Sequence, residues 1–328
     1  MIFSSRIRFC PLVGVLLLLI SSPRTTVASE YRCKVPGAKI VFGATPSHSG
    51  TRLLVFYSGQ EESEELSSGT PAVLDVATCK LSSFAKLESL QIDATALWEK
   101  NGHVLLETTA GIAEADPDQP GKSPKLIFQG ETHGLALSED NSKFAVWRVS
   151  ASSWSLSVID LATLKILRKW TLPFAYSGEA TGFEIAFLGT TSVYARTFDI
   201  EGRTPLMRFD LETGKTETLE ADCLALAASQ SAVYYLTHNR SGQTLKKLTD
   251  GRAEVISPLP GYDDLRAVAG NRWIAVGGAG KSAAFDTTSN QISGKSSCET
   301  TTVLSDGTQL YIKKATLSSD PGICARPR

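Results

Sequence analysis

The amino-acid sequence predicts an all-β fold, a β-propeller of about seven four-stranded blades, with six blades as the alternative count. Short apolar runs of about five to eight residues recur along the chain, separated by turns rich in Asp, Asn, Ser and Gly. The end of the third predicted strand carries a pattern that returns at intervals of about 40–50 residues, which is the period of a propeller blade. Beyond residue 29 no stretch has a long helical periodicity, so we expect little helix.

The clearest unit lies at 134–170 and contains four predicted strands. The strands have the sequences GLALS, KFAVWRV, SLSVIDL and ILRKW, and the segments between them are EDNS, SASSW and ATLK. Apolar residues alternate or run together within each strand, whereas the connections carry residues that favour turns. This succession is typical of one antiparallel propeller blade.

Aspartates at the end of the third strand predict a repeated structural cap. The segments AVLDVATCK, SVIDLATLK, LMRFDLETGK and AAFDTTSNQ contain Asp75, Asp160, Asp210 and Asp286, each with a threonine two or three residues later. A carboxylate at this position accepts hydrogen bonds from backbone N–H groups of the turn that follows. Because the same residue recurs from unit to unit, we interpret these aspartates as turn caps and not as catalytic acids.

The units are placed at 38–87, 88–129, 131–171, 178–220, 222–257, 263–294 and from 299 onward. The last unit has two clear strands, TTTVLS and QLYIKKA, so we expect the segment EYRCKV at 30–35 to add a strand to it. Closure of this kind removes the exposed sheet edges that an open ring would leave. Two sheets packed as a sandwich are the rival architecture, which seven similar units disfavour.

Two segments resemble known propeller repeats. The segment LSEDNSKFAVWRVSASSWSLSVIDLATLKI at 137–166 resembles the YVTN-type repeat of surface-layer and periplasmic propellers. The segment VLSDGTQLYI at 303–312 resembles the repeat of TolB-like propellers, which are WD-repeat-like in architecture. Such repeats serve proteins of many functions, so the resemblance implies a fold and not an activity.

Residues 1–29 have the organisation of a secretory signal peptide. Arg6 and Arg8 precede an apolar run at 9–20, and Val27 and Ser29 suit the −3 and −1 positions of a cleavage site. A membrane span needs about twenty apolar residues, more than this run supplies. We therefore expect a signal peptide at 1–29, a single propeller domain at 30–328, and a secreted or periplasmic mature protein without a membrane span. An uncleaved N-terminal anchor is the alternative.

Five cysteines follow the predicted signal peptide: Cys33, Cys79, Cys223, Cys298 and Cys324. Export permits disulfides, and Cys298–Cys324 is the first expected pair, Cys33–Cys79 the second. A Cys33–Cys324 bridge is a rival, because it would pin the closure of the ring. Cys223 lies in the apolar segment DCLALAA, and we expect it to be a buried free thiol.

Charge and motifs argue against several functions. Removing 1–29 lowers the basic residues from 33 to 30 against 34 acids, a net charge of about −4, which disfavours nucleic-acid binding. The segment GGAGKS at 277–282 lacks the first glycine of a phosphate-binding loop, because Ala275 occupies that position. The sequence has no G-x-S-x-G motif, and its four histidines, His48, His103, His133 and His238, show no metal-ligand spacing. We assign no catalytic residue, metal or cofactor.

One face of a propeller collects loops from all the blades over the mouth of the central channel, and ligands usually bind there. The residues that the sequence places on this face are the acidic run at 61–65, His133, Trp154, Tyr176, His238, Tyr262, Asp263 and Asp264. Aromatic rings beside mixed charges favour recognition of a partner by this face. The simpler alternative is that Trp154 and Tyr176 have a structural role and cover the ends of blades.

We therefore expect a non-enzymatic binding or scaffold module that holds a protein or a cell-surface ligand. The alternative is a propeller enzyme or enzyme subunit, similar to lactonases, lyases or the heavy chains of periplasmic amine dehydrogenases. Enzymes of this architecture place several acids, Asn or His around the channel mouth, and Asn is scarce in this sequence.

Overall fold

Seven antiparallel sheets, each formed mainly by strands adjacent in sequence, make up the computed structural model of the chain. The structure describes residues 31–60, 68–84, 87, 90–91, 95–150, 153–173, 184–197, 203–229, 231–239, 242–249, 251–267, 272–278, 280–298, 300–304, 306–320 and 323. The predicted signal peptide, the acidic run at 61–65, Tyr176 and Cys324 lie outside this set. Within it, no helix is long and apolar enough to span a membrane.

The strands follow one another blade by blade. After β1 (Arg32–Lys34), blade 1 contains β2 (Ile40–Pro46), β3 (Arg52–Ser58), β4 (Ser68–Asp75) and β5 (Leu81–Ser83), and β6 (Leu90–Gln91) also pairs with β4. Blade 2 contains β7 (Ala96–Trp98), β8 (Val104–Thr108), β9 (Gly111–Ala115) and β10 (Lys125–Gln129). Blade 3 contains β11 (Leu135–Leu137), β12 (Lys143–Ser150), β13 (Ser153–Asp160) and β14 (Ile166–Pro173).

The remaining blades repeat this order. Blade 4 contains β15 (Ile185–Leu188), β16 (Ser192–Arg196), β17 (Leu206–Asp210) and β18 (Thr216–Glu220). Blade 5 contains β19 (Ala225–Ser229), β20 (Ala232–Asn239), β21 (Gly242–Thr249) and β22 (Arg252–Pro258). Blade 6 contains β23 (Asp264–Ala267), β24 (Trp273–Gly278), β25 (Lys281–Asp286) and β26 (Gln291–Ser296). Blade 7 contains β27 (Thr300–Val303), β28 (Gln309–Lys313) and β29 (Thr316–Ser318), and its fourth strand is β1.

The first strands of neighbouring blades contact one another, β11 with β15, β15 with β19, and β19 with β23. These strands therefore surround the centre of the ring, and the fourth strands lie at its periphery. The prediction of a seven-bladed, all-β propeller is confirmed, and the six-bladed count and the sandwich are wrong.

Strand β1 closes the ring by pairing antiparallel with β29, with Cys33 opposite Leu317. Two further backbone hydrogen bonds extend the pairing, Val35 N to Ala315 O at 2.9 Å and Ser319 N to Tyr31 O at 2.8 Å. The strand predicted at 30–35 thus completes the last blade, as expected, and it is the fourth strand because β29 adds to the two strands that the sequence indicated.

The core lies between blades, because each sheet packs against a neighbour on both faces. Successive side chains of a strand point to opposite faces. In β3, Leu53 and Val55 pack with blade 7, whereas Leu54 and Phe56 pack with blade 2. This two-sided burial explains why the second and third strands are nearly continuous apolar runs.

The aspartates at the third-strand ends cap turns, as predicted. Asp160 Oδ1 accepts hydrogen bonds from both N and Oγ1 of Thr163 at 2.7 Å, and Asp75 and Asp210 bind Thr78 and Thr213 in the same way. Hydrogen bonds from these threonines lower the pKa of all three carboxyls. In blade 6 the cap is Asp286, whose pKa is lowered to about 2, first by the hydrogen bonds from Arg272.

A disulfide joins Cys33 to Cys79, with the Cα atoms 5.7 Å apart, a separation that suits such a bond. Cys79 lies in the turn after β4, so the bridge connects the closing strand of blade 7 to blade 1. The rival Cys33–Cys324 pairing is therefore wrong, because the neighbouring blade brings Cys79 to Cys33.

Cys298 is also disulfide-bonded, with a partner outside the described residues, and Cys223 is a buried free thiol, as expected.

Deleting residues 30–36 should lower the melting temperature far more than deleting 325–328, because the first deletion removes β1 and its bridge. The variant Cys33→Ser/Cys79→Ser isolates the covalent part, which is worth about 3–4 kcal/mol for a closed loop of this length. Differential scanning calorimetry should rank the double variant between the two deletions. If deleting 30–36 costs no more than the double serine variant, pairing of β1 contributes nothing to closure.

Candidate functional site

We call the face that carries the connections between blades, together with the turns between second and third strands, the top face. Successive turns of an antiparallel blade alternate between the two faces, so both kinds of connection fall on the same side. The described members of the predicted set all lie there: His133, Trp154, His238, Tyr262, Asp263 and Asp264. The opposite side of the ring is called the bottom face.

The structure divides these residues into two groups. In the first group, the rings of His133 and Trp154 lie edge to face with centroids 6.3 Å apart, and Trp154 packs in turn on Trp147. Only 4% of Trp154 is exposed, so this ring belongs to the core between blades 3 and 4 and offers little surface to a ligand. His133 Nε2 lies 3.5 Å from Glu131 Oε1.

The second group surrounds the connection from β22 to β23. Gln243 holds this loop, because its backbone oxygen accepts from Leu259 N and its Oε1 accepts from Gly261 N, both at 2.8 Å. His238 lies opposite Gln243 in the pairing of β20 with β21, at the same edge of blade 5. Tyr262 is buried in the core between blades 5 and 6.

A close contact between Asp263 and Gly278 explains why the GGAGKS segment has a glycine at position 278. Gly278 has φ +136°, and a Cβ atom there would lie within van der Waals overlap of the Asp263 carboxylate, so glycine is required. Gly278 ends β24 and Lys281 begins β25, so the described residues of the segment lie between the second and third strands of blade 6, as the sequence predicted.

Lys281 and Lys295 border a groove at the top of blades 5 and 6, which we call the top-face groove. Its volume is about 450 Å³, and its lining includes Pro258, Pro260, Tyr262, Lys281, Lys295 and Ser296. The Lys281 ammonium donates to Pro260 O at 3.0 Å and lies 5.2 Å from the centroid of the Tyr262 ring. Cation–π and hydrogen-bond contacts thus hold one cationic group above an apolar wall.

A second constellation lies where three blades meet at the upper end of the channel. Glu184 directly precedes β15, and its Oε2 accepts from Leu226 N of blade 5 at 2.5 Å. Arg196 Nε lies 3.9 Å from the same oxygen, and Asp264 accepts from Arg266 Nε at 2.8 Å on blade 6. Arg266 Nη1 lies 3.9 Å from the position of a Cβ atom on Gly43, so the guanidinium extends from blade 6 toward blade 1.

Glu184 has a strongly perturbed carboxyl. Burial raises its pKa to about 8; the Arg196 charge opposes this rise, and the Asp264 charge adds to it. The side chain retains 24% of its accessible surface, so a proton or a small ligand can reach it. A carboxyl that remains protonated at neutral pH can donate a hydrogen bond or a proton.

Sequence reasoning did not single out Glu184, Arg196, Arg266 or Lys295. None of them belongs to a motif, and their relevance depends on neighbouring blades that the local pattern does not specify. Side chains able to hold a metal converge instead on the bottom face, at Glu99, His103 and Glu114.

Comparison with known proteins supports the fold alone. The structure resembles a chain of Kuenenia stuttgartiensis hydrazine synthase with a TM-score of 0.56 and 11% sequence identity, covering 84% of this chain and 92% of that one. It also resembles a prolyl endopeptidase chain with a TM-score of 0.52 and 10% identity, covering 76% of this chain and 41% of that one. No model of a protein family matches the sequence, and neither does any curated protein. At these identities the likeness shows a shared propeller architecture.

The carboxyl of Glu184 should make stability depend on pH. In the folded protein its pKa is about 8, whereas the ordinary value, which applies to the unfolded chain, is 4.5. Between these two pH values the folded state therefore keeps a proton that the unfolded state has lost. Its contribution to stability is therefore complete below pH 4.5 and is lost as the pH rises toward 8. Urea unfolding from pH 5 to 9 should show that Glu184→Gln gains stability relative to the wild type as the pH rises. The variant Glu139→Gln, which removes an exposed carboxylate, is the control, and a flat difference for Glu184→Gln would contradict the raised pKa.

Proposed function

We propose that the chain is an exported, non-enzymatic binding module that holds an acidic segment of a protein partner in the top-face groove. The observation that carries the proposal is the pair Lys281 and Lys295 beside Pro258, Pro260 and Tyr262. The two prolines are exposed and supply rigid apolar contact area, and the two ammonium groups supply positive charge for carboxylates.

Charge complementarity favours an acidic partner over a neutral one. The whole chain has 33 basic and 34 acidic residues, so two lysines lining one groove oppose the overall balance. Such a local positive potential attracts acidic segments and fixes their orientation.

Export is part of the proposal. The organisation of residues 1–29 as a signal peptide and the disulfides of Cys33 and Cys298 support it, because disulfides persist in oxidising compartments. We also propose kinship with the YVTN/TolB-like propellers, which the capped turns of the repeats support. In this interpretation the seven blades act as a rigid ring that presents one face to a protein or to the cell surface.

A labelled ten-residue peptide of alternating glutamate and proline should bind the protein, and its lysine–proline counterpart should not. The variant Lys281→Glu/Lys295→Glu should weaken the acidic peptide about five- to tenfold, since exposed ion pairs contribute about 0.2–1 kcal/mol each and reversal adds repulsion. Fluorescence anisotropy at low salt measures both affinities.

The control for this experiment is Lys125→Glu, a reversal at an exposed lysine on the outer strand of blade 2. It changes the net charge at one position without altering the groove. Binding that is equal in the groove variant and in this control contradicts the proposal, as does an absence of binding to the wild type.

Glu184 supports a second candidate function, a propeller enzyme or enzyme subunit of the lactonase, lyase or dehydrogenase heavy-chain kind. Its protonated carboxyl beside Arg196 at the channel mouth suits a general acid paired with a cation that stabilises developing negative charge. Turnover of a panel of lactones that falls strongly in Glu184→Gln would favour this function. Peptide binding without turnover would favour the binding module.

A further inference from the structure

Three metal-ligating side chains converge on the bottom face of blade 2. Glu99 and His103 lie at either end of the turn between β7 and β8, and Glu114 lies on β9. One ligand atom from each residue lies within 4.8 Å of the other two. This site lies on the face opposite the top-face groove.

The turn that presents Glu99 and His103 has a fixed backbone. Glu99 N donates to His103 O at 2.8 Å, and Gly102 N donates to Glu99 O at 3.0 Å, with Gly102 at φ +89°. The side chain of Asn101 adds two contacts, accepting from His103 N at 2.8 Å and donating to Glu99 Oε2 at 3.1 Å. The two candidate ligands are therefore held in place before any ion binds.

His103 and Glu114 form an ion pair without needing a metal, since His103 Nδ1 lies 2.7 Å from Glu114 Oε1. The Asp116 carboxylate lies 3.8 Å from His103 Nε2 on the other side of the ring. A cation on Nδ1 would leave the Nε2 proton directed at this carboxylate, the arrangement that orients many histidine ligands.

The ion pair between His103 and Glu114 does not explain why the carboxylate of Glu99 is buried. The residue is only 4% exposed, and its Oε1 is buried without a hydrogen-bond partner among the described residues. Burying a carboxylate oxygen without a donor costs free energy that a coordinated cation would remove. The buried oxygen belongs to a carboxylate that faces the imidazole of His103 and the carboxylate of Glu114.

We propose that Glu99, His103 and Glu114 bind a divalent transition-metal cation of the Zn²⁺ class. One imidazole nitrogen and two carboxylates suit Zn²⁺, and three protein ligands leave a coordination position for water or for a group from a partner. Ca²⁺ requires about six to eight oxygen ligands, more than these residues supply. The ion would connect the turn after β7 to β9.

The test uses the full mature chain after treatment with a chelator and titrates it with Zn²⁺ and, separately, with Ca²⁺ in a calorimeter. The wild type should bind one Zn²⁺ per chain. Glu99→Gln, which keeps the side-chain volume, and His103→Ala should each weaken binding at least about tenfold, because even loss of an outer partner of a ligand costs about 10–100-fold. Co²⁺ should give a visible absorption band that changes in His103→Ala.

The matched control is His48→Ala, because His48 is an exposed histidine in the equivalent turn of blade 1, on the same face. It should bind Zn²⁺ like the wild type. Circular dichroism identifies a variant that fails to fold, in which case Glu114→Gln replaces it. The proposal is overturned if the wild type binds no stoichiometric Zn²⁺, if Ca²⁺ binds more tightly, or if His48→Ala weakens binding as much as His103→Ala.

Discussion

The pairing of β1 with β29 is the contact on which the rest of the ring depends. Each blade buries apolar side chains against two neighbours, so a gap between blades 7 and 1 would expose one face of each. Cys33 and Val35, two residues apart on the closing segment, pack with Leu53 of blade 1 and Leu317 of blade 7 in one cluster. The backbone hydrogen bonds, the shared core and the Cys33–Cys79 bridge therefore all stabilise the same junction. Because the blades are joined in a closed ring, the top face keeps the geometry that brings blades 4, 5 and 6 together at the channel mouth.

Local sequence was sufficient to predict the repeated unit. The Asp–Thr turns recur because one carboxylate satisfies several N–H groups within a few residues, which requires no information from distant parts of the chain. The addition of the N-terminal strand to the last unit could also be predicted, since a ring that is left open exposes unpaired sheet edges, but β29 was not recognised in the sequence. The sequence named both Cys79 and Cys324 as partners for Cys33 and could not decide between them, and the Cys33–Cys79 pair is confirmed. Cys79 lies in a turn of the next blade with φ +55° and bonds to Cys33 from there. Neither that conformation nor the distance between the blades is encoded in the residues near Cys33.

The candidate sites were predicted less well, for a related reason. Placing His133 and Tyr262 on the top face needed only the order of strands, but their burial and contacts depend on the blades beside them. The pKa of Glu184 is raised by burial, and its carboxylate is bonded to Leu226 N of blade 5. Lys295 borders a groove with loop residues more than thirty positions earlier in the sequence. His103 was judged by its spacing from other histidines, whereas its neighbours are carboxylates on the same turn and on the next hairpin. Long-range juxtaposition is what a single sequence without its fold leaves undetermined.

Native-state hydrogen exchange tests the claim of closure most directly. If β1 is an integral strand of blade 7, the amide of Val35, which is bonded to Ala315 O, should exchange with the same free energy of opening as amides of β12 and β13 in blade 3. The amide of Ser319, bonded to Tyr31 O, should behave likewise, including in the Cys33→Ser/Cys79→Ser variant. Rapid exchange at Val35 and Ser319 while blade 3 remains protected would contradict the account, because the ring would then persist without its closing strand.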